Sequence, residues 1–152
     1  MTDCLHDKGE EKMTKLHLGC GSIYLDGYIN CDLGGTVGQP EETTTVRNYY
    51  INRQGDMNNV PPPFPTVVDA HCDIRNPETV VDEADKIVCL QALEHLNPAD
   101  ALLALKNWYN LLTDGGVCIV SVPELWETLE LIGNAKTHEF GIRHLIGTHR
   151  DS

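Results

Sequence analysis

The sequence predicts an α/β domain: a doubly wound, mostly parallel sheet with helices between its strands. Three observations carry this. Five short apolar runs are mostly continuous rather than alternating, the pattern of strands covered on both faces. Helix-opening residues stand between later runs, and the first run ends in a glycine turn, Gly19-Cys20-Gly21. Strands alternating with helices favour parallel pairing through right-handed crossovers.

The predicted strands are Lys15–Leu18, Tyr28–Cys31, Thr66–Asp69, Lys86–Leu90 and Val117–Val122. Asn76-Pro77-Glu78 places a capping residue before a proline suited to the first helical position, and predicts a short helix to about Ala84. Asn97-Pro98-Ala99-Asp100 opens a longer helix in the same way. Along it Ala101, Leu102, Leu105, Trp108, Tyr109 and Leu112 recur at helical spacing as one apolar face, and Gly115-Gly116 ends it. A last helix is expected from Glu124 to about Ile132. The proline-rich stretch from Val60 to Pro65 is expected to be extended and to separate two halves of one domain.

Composition narrows the function. The chain has 152 residues, enough for one sizeable core. Twenty-three acids against 11 bases leave a net charge of −12, and no Lys/Arg cluster is visible. Such a surface repels a phosphate backbone, so no stable nucleic-acid binding is expected, whereas a small or cationic ligand is easily accommodated. No apolar run is long enough to span a bilayer, and no membrane association is expected. Residues 1–14 read as a flexible polar tail without the apolar centre of a secretory signal, leaving 15–152 as a single domain.

Six cysteines lack any C-x-x-C pair, and Cys31, Cys89 and Cys118 fall inside strand-like runs, where a thiol packs as a small hydrophobe. A reducing cytoplasm with free thiols is the economical reading. His138, His144 and His149 have spacings that do not suit a metal site, and none is expected.

Ligands of open parallel sheets bind outside the carboxyl ends of the strands, where strand order reverses. Gly19 and Gly21 follow the first strand, where glycine admits a ligand to the backbone without a Cβ clash. Asp32 closes the second strand on the same edge, where a carboxylate accepts the hydroxyl hydrogens of a ribose. A lone G-x-G also describes a tight turn, and Asp32 also suits a turn cap. The third glycine of the dinucleotide fingerprint is missing, and Asp32 comes only 11 residues after Gly21. A nicotinamide or flavin site is therefore disfavoured.

Leu16-His17-Leu18-Gly19-Cys20-Gly21 followed by Gly27-Tyr28-Ile29-Asn30-Cys31-Asp32 resembles class I S-adenosylmethionine-dependent methyltransferases, within them the branch with a short GCG…GYIN-D connection. The resemblance continues through Cys72-Asp73-Ile74, Ala84-Asp85-Lys86-Ile87-Val88, Leu93-Glu94-His95-Leu96 and Leu111-Leu112-Thr113-Asp114-Gly115-Gly116, spanning most of residues 15 to 125. It implies a Rossmann-like class I methyltransferase fold and S-adenosyl-L-methionine as cofactor, with S-adenosyl-L-homocysteine as product. By resemblance, Gly19, Cys20 and Gly21 line the methionine part, and Asp32 with the following Leu33 meets the ribose. Asp73 accepts from the adenine amino group beside the Ile74 amide, with Asp69 as a competitor for that contact. Leu90 and Gln91 lie beside the sulfonium and the acceptor.

His95 and Glu94 are the nearest candidates for a catalytic base, His95 being better matched to neutral pH; both also suit a role in fixing the loop. Trp108 and Tyr109 read as core rather than cofactor stackers. His17 stands where many members place an acid. The segment from Thr43 to Tyr50 reads as a flap or as a solvated loop. Gly133–Ser152 is enough for about one strand, so the usual last two strands of the fold are expected to be absent. Strand five would then be a sheet edge, which a homodimer would cover.

Three functions follow: a methyltransferase acting on a small-molecule acceptor, a shortened binding module that holds the cofactor or a protein partner without catalysis, and another nucleotide-binding α/β enzyme.

Overall fold

The computed structural model describes residues 13–40 and 65–134. In chain order their elements are β1 (Lys15–Leu18), β2 (Ile29–Asp32), β3 (Thr36–Val37), β4 (Val67–Val68), β5 (Ala70–His71), β6 (Ala84–Leu90), α1 (Pro98–Leu111), β7 (Leu112–Ser121) and α2 (Leu125–Gly133). Five strands form one parallel sheet in the order β5-β2-β1-β6-β7. Chain order runs outward from β1 to one side, then returns to β6 on the other. The strand order of the parallel sheet therefore reverses between β1 and β6.

Alternation along β1 decides which residues meet the helix. Leu16 and Leu18 lie on one face with Cys31, Ile87 and Cys89, packed against Ala104, Trp108 and Leu111 of α1. His17, one residue out of phase, lies on the opposite face and is fully buried with Asn30. Asn30 is a hub: its Oδ1 accepts from the Leu25 amide at 2.8 Å, and its Nδ2 donates to Leu25 O, Tyr28 O and the Asp69 carboxylate. This fixes the amide orientation, so His17 Nδ1 must donate to Asn30 Oδ1 across 3.0 Å. His17 Nε2 is left buried without a partner. His17 is thus a core histidine.

Several expectations are corrected. The run from Thr66 to Asp69 is not one strand: Val67–Val68 pairs with β3, and Ala70–His71 pairs with β2. Asp69 makes the break, because its amide donates to Asn30 O at 2.8 Å while its carboxylate accepts from the Asn30 amide, the Asn30 side chain and Tyr24 Oη. The helix expected after Asn76 is a single 3-10 turn, Pro77–Thr79. Asn76 makes no capping bond there; its side chain reaches Glu78 instead.

On α1 the cap holds, with Asn97 Oδ1 accepting from the Asp100 amide at 2.9 Å, but the buried face does not. Ala104, Trp108 and Leu111 are buried, whereas Leu102, Leu105 and Tyr109 are 70%, 39% and 78% exposed. Two tethers set this rotation: Trp108 Nε1 donates to Ile74 O at 2.6 Å and Asn107 Nδ2 to Arg75 O at 2.7 Å. Gly115-Gly116 lies not at the helix end but inside β7, where two residues of β6 advance against five of β7. Gly115 has φ +81°, a conformation that favours glycine. Helix α2 begins one residue after its expected start.

Strand β7 is the edge of the sheet among the described residues, with Val117, Ile119 and Val120 exposed. Cys118 is exposed there rather than packed as a core hydrophobe; Cys20, Cys31, Cys72 and Cys89 are buried and free. Thr14 is tied to Asp85 through its amide, at 2.7 Å, and through its carbonyl. No helix among the described residues is long and apolar enough to cross a membrane. Residues 1–12 of the expected tail, the segment from Thr43 to Tyr50, most of the proline-rich stretch, His138, His144, His149 and the chain after Asn134 lie outside the described residues.

Candidate functional site

The carboxyl ends of β1, β2, β5 and β6 converge on one rim. Gly19 leaves β1 with φ +65°, and a Cβ there would stand 2.5 Å from Ala92 Cβ and 3.6 Å from Ile74 Cγ2. Its reason for being glycine is therefore the close approach of the loops that follow β6 and β5, and not room for a ligand. Gly21 differs: φ is +52° and nothing lies within 4 Å of where its Cβ would be. Of the two glycines, Gly21 is the one with open space above it.

Between them Cys20 is buried, its amide donating to Cys31 O at 3.0 Å. Burial, reinforced by the Asp32 charge, pushes its thiol up to about 12, so it is a neutral packing group rather than a nucleophile. The Gly21 amide donates to Asp32 Oδ2 at 2.9 Å, which fastens the glycine loop to the end of β2. Among the described residues Asp32 Oδ1 faces only a long contact from the Gly34 amide, at 3.5 Å. A carboxylate has about four lone-pair sites, so Asp32 keeps acceptor capacity. Leu33 is 72% exposed and takes no part in the packed rim.

The two acids weighed for the adenine contact are both engaged. Asp69 accepts four hydrogen bonds, from Tyr24, Gln39 and twice from Asn30. Asp73 accepts from the Arg75 amide at 2.9 Å and from its guanidinium through Nε and Nη2. Arg75 also bridges to Asp100 at 3.1 Å, at the start of α1. The guanidinium holds the Asp73 carboxyl below the usual carboxylate range, ahead of the opposing effect of burial. Ile74 is buried in the core, and its carbonyl is taken by the Trp108 indole. Sequence reasoning missed Arg75, although a base two residues after an acid in a loop was there to suggest the pair.

Gln91, at the end of β6, has φ +55°, and no other non-glycine residue among those described is positive. Its amide donates to Ser121 O at 2.8 Å and its side chain to Ser121 Oγ at 3.2 Å, which locks the ends of β6 and β7 together. Backbone strain held in this way is concentrated at functional sites. Ala92, pressed against Gly19, leads directly into a 3-10 turn, Leu93–His95.

His95 is exposed on that turn. Glu94 is half-buried at a cleft of about 340 Å³ that also involves α1, α2 and the β7–α2 connection. Its Oε2 is buried with no hydrogen-bond partner, and burial raises its carboxyl above the usual range. No group of three or more His, Cys, Asp or Glu among the described residues is arranged to hold a metal. Tyr109, expected in the core, is at the surface, whereas Trp108 is in the core.

No protein-family model matches the chain, and no curated protein matches it significantly.

Proposed function

We propose that the chain is an S-adenosyl-L-methionine-dependent methyltransferase acting on a small-molecule acceptor. One observation carries the reading: at the strand ends beside the reversal, the open Gly21 turn is hydrogen-bonded to Asp32, whose carboxylate keeps acceptor capacity. That arrangement fits the glycine loop and ribose acid of an adenosyl pocket. Asp32 would accept from the ribose hydroxyls, and the Cys20-Gly21 turn would border the methionine part. Leu90 and Gln91 would lie on the acceptor side.

When bound, the cofactor would supply a methyl group activated by a cationic sulfur. The protein's own part is alignment and exclusion of water, worth up to about 7–11 kcal/mol in well-oriented systems. The rigid junction of Gly19, Ile74 and Ala92 supports such alignment. Glu94 and His95 follow on the acceptor side as candidate bases, needed only where the nucleophile arrives protonated. A cytoplasmic protein, dimeric through the β7 edge, is consistent with this reading.

A second reading has one observation in its favour. Asp73 is held by Arg75, so the adenine end lacks the free carboxylate that the family resemblance implies. A binding module that has kept the fold without catalysis would look the same there.

Calorimetric titration with S-adenosyl-L-homocysteine tests the proposal. Saturable binding that Asp32→Ala weakens at least about tenfold is expected. No heat with the wild-type chain overturns it, and binding without methyl transfer to any acceptor of a small-molecule panel favours the binding module.

A further inference from the structure

The cleft beside Glu94 is walled by apolar side chains from three parts of the fold. Leu93 and Leu96 come from the turn after β6, Ala101 from α1, and Val122 and Leu125 from the end of β7 and the start of α2. Thr128 also lines it, but its hydroxyl already donates to Glu124 O at 2.7 Å. Among the described residues Glu94 is the only ionisable side chain of the lining, and no described donor faces its Oε2.

A carboxylate oxygen removed from water without a partner is costly. Two events relieve that cost: the carboxyl takes up a proton, or a cation bound beside the carboxylate offsets its charge. Oε2 itself lies out of solvent's reach, so a ligand in the cleft meets the carboxylate through its other oxygen, the two sharing one negative charge. A cationic donor is favoured over a neutral one because a charge-assisted hydrogen bond strengthens as water is excluded. The chain's net charge of −12 adds an attraction for cations in the same direction.

We propose that this cleft binds a small ligand with an apolar body and a protonated amine, the amine pairing with Glu94 and the body filling the space between α1 and α2. A volume of about 340 Å³ lies at the lower end of small-molecule sites, which suits a compact amine. The ligand chemistry rests on the cleft alone. Its role as the methyl-acceptor site rests on the methyltransferase reading, with Gly19, Ala92 and the Leu93–His95 turn joining the two sites.

The full chain titrated calorimetrically at neutral pH with 2-phenylethylamine and its isosteric alcohol, 2-phenylethanol, decides the matter. The amine is expected to bind at least about tenfold tighter than the alcohol, and Glu94→Gln to erase that preference. Methyl NMR shifts confined to Val122, Leu125 and their neighbours are expected with the amine, and locate the site without any variant. Equal affinities, no saturable binding below about 10 mM, an amine preference that persists in folded Glu94→Gln, or shifts elsewhere would each overturn the proposal. S-adenosyl-L-homocysteine titrated in parallel separates the two readings. Its binding without amine binding removes only this inference; amine binding without it removes only the methyltransferase.

Discussion

Gly19 and Gly21 look alike in sequence and differ in what surrounds them. Alanine at either position meets a left-handed backbone, costing about 1–2 kcal/mol. At Gly19 the added methyl also collides with Ala92 Cβ and forces the loops apart, for a further cost of about 1–3 kcal/mol. Urea denaturation should therefore show Gly19→Ala as clearly the more damaging. Equal losses would mean that the β1 and β6 loops do not touch. The acids differ in the same way: Asp32 retains acceptor capacity and Asp73 does not. Asp73→Asn is expected to lower stability by about 1 kcal/mol through its part-exposed pair with Arg75, and to change S-adenosyl-L-homocysteine affinity less than Asp32→Ala does.

At the scale of elements, the placement of α1 is what brings the site together. Its cap and its length are written in Asn97-Pro98, but its rotation is set by two hydrogen bonds to the loop after β5. Trp108→Phe removes the donor and leaves the buried Ile74 carbonyl unsatisfied, costing about 1–3 kcal/mol. Because Ile74 also touches the Gly19 junction, the same variant should loosen the rim, visible as amide-exchange protection lost in the loop that follows β1. Unchanged exchange there would show that α1 and the rim are independent. The strands show the opposite dependence. β1 and β6 are recognisable from their apolar runs, while β3 and β5 are two residues each and are defined only by their partners.

Across the whole molecule, stability should respond to pH through groups whose proton affinity changes on folding. His17 is buried, and desolvation lowers its affinity from an ordinary value of 6.5, the hydrogen bond that it donates to Asn30 opposing. The unfolded chain then binds the proton that the folded chain refuses. Its contribution is complete above pH 6.5 and is lost as pH falls below it, at no more than about 1.4 kcal/mol per pH unit. Glu94 runs the other way: its raised value favours the folded state at acid pH, and that contribution is lost as pH rises above 4.5, its ordinary value. Urea midpoints at about pH 7.5 and about pH 5.5 should therefore differ, with the fall reduced in His17→Leu. An identical fall in that variant would assign the effect elsewhere.

The sequence by itself determined the class of the fold, because apolar continuity, proline-led helix starts and glycine turns act over a few residues and need no distant partner. It also placed Gly21 and Asp32 on one edge, since both end strands that run in the same direction. Only the tertiary structure decided which side of α1 is buried, that Asp69 splits a strand, and that His17 is core. It alone brought Arg75 onto Asp73 and left Glu94 facing an apolar cleft. Each of these depends on hydrogen bonds or packing between segments far apart in the chain, and the geometry of such contacts is not encoded by local periodicity.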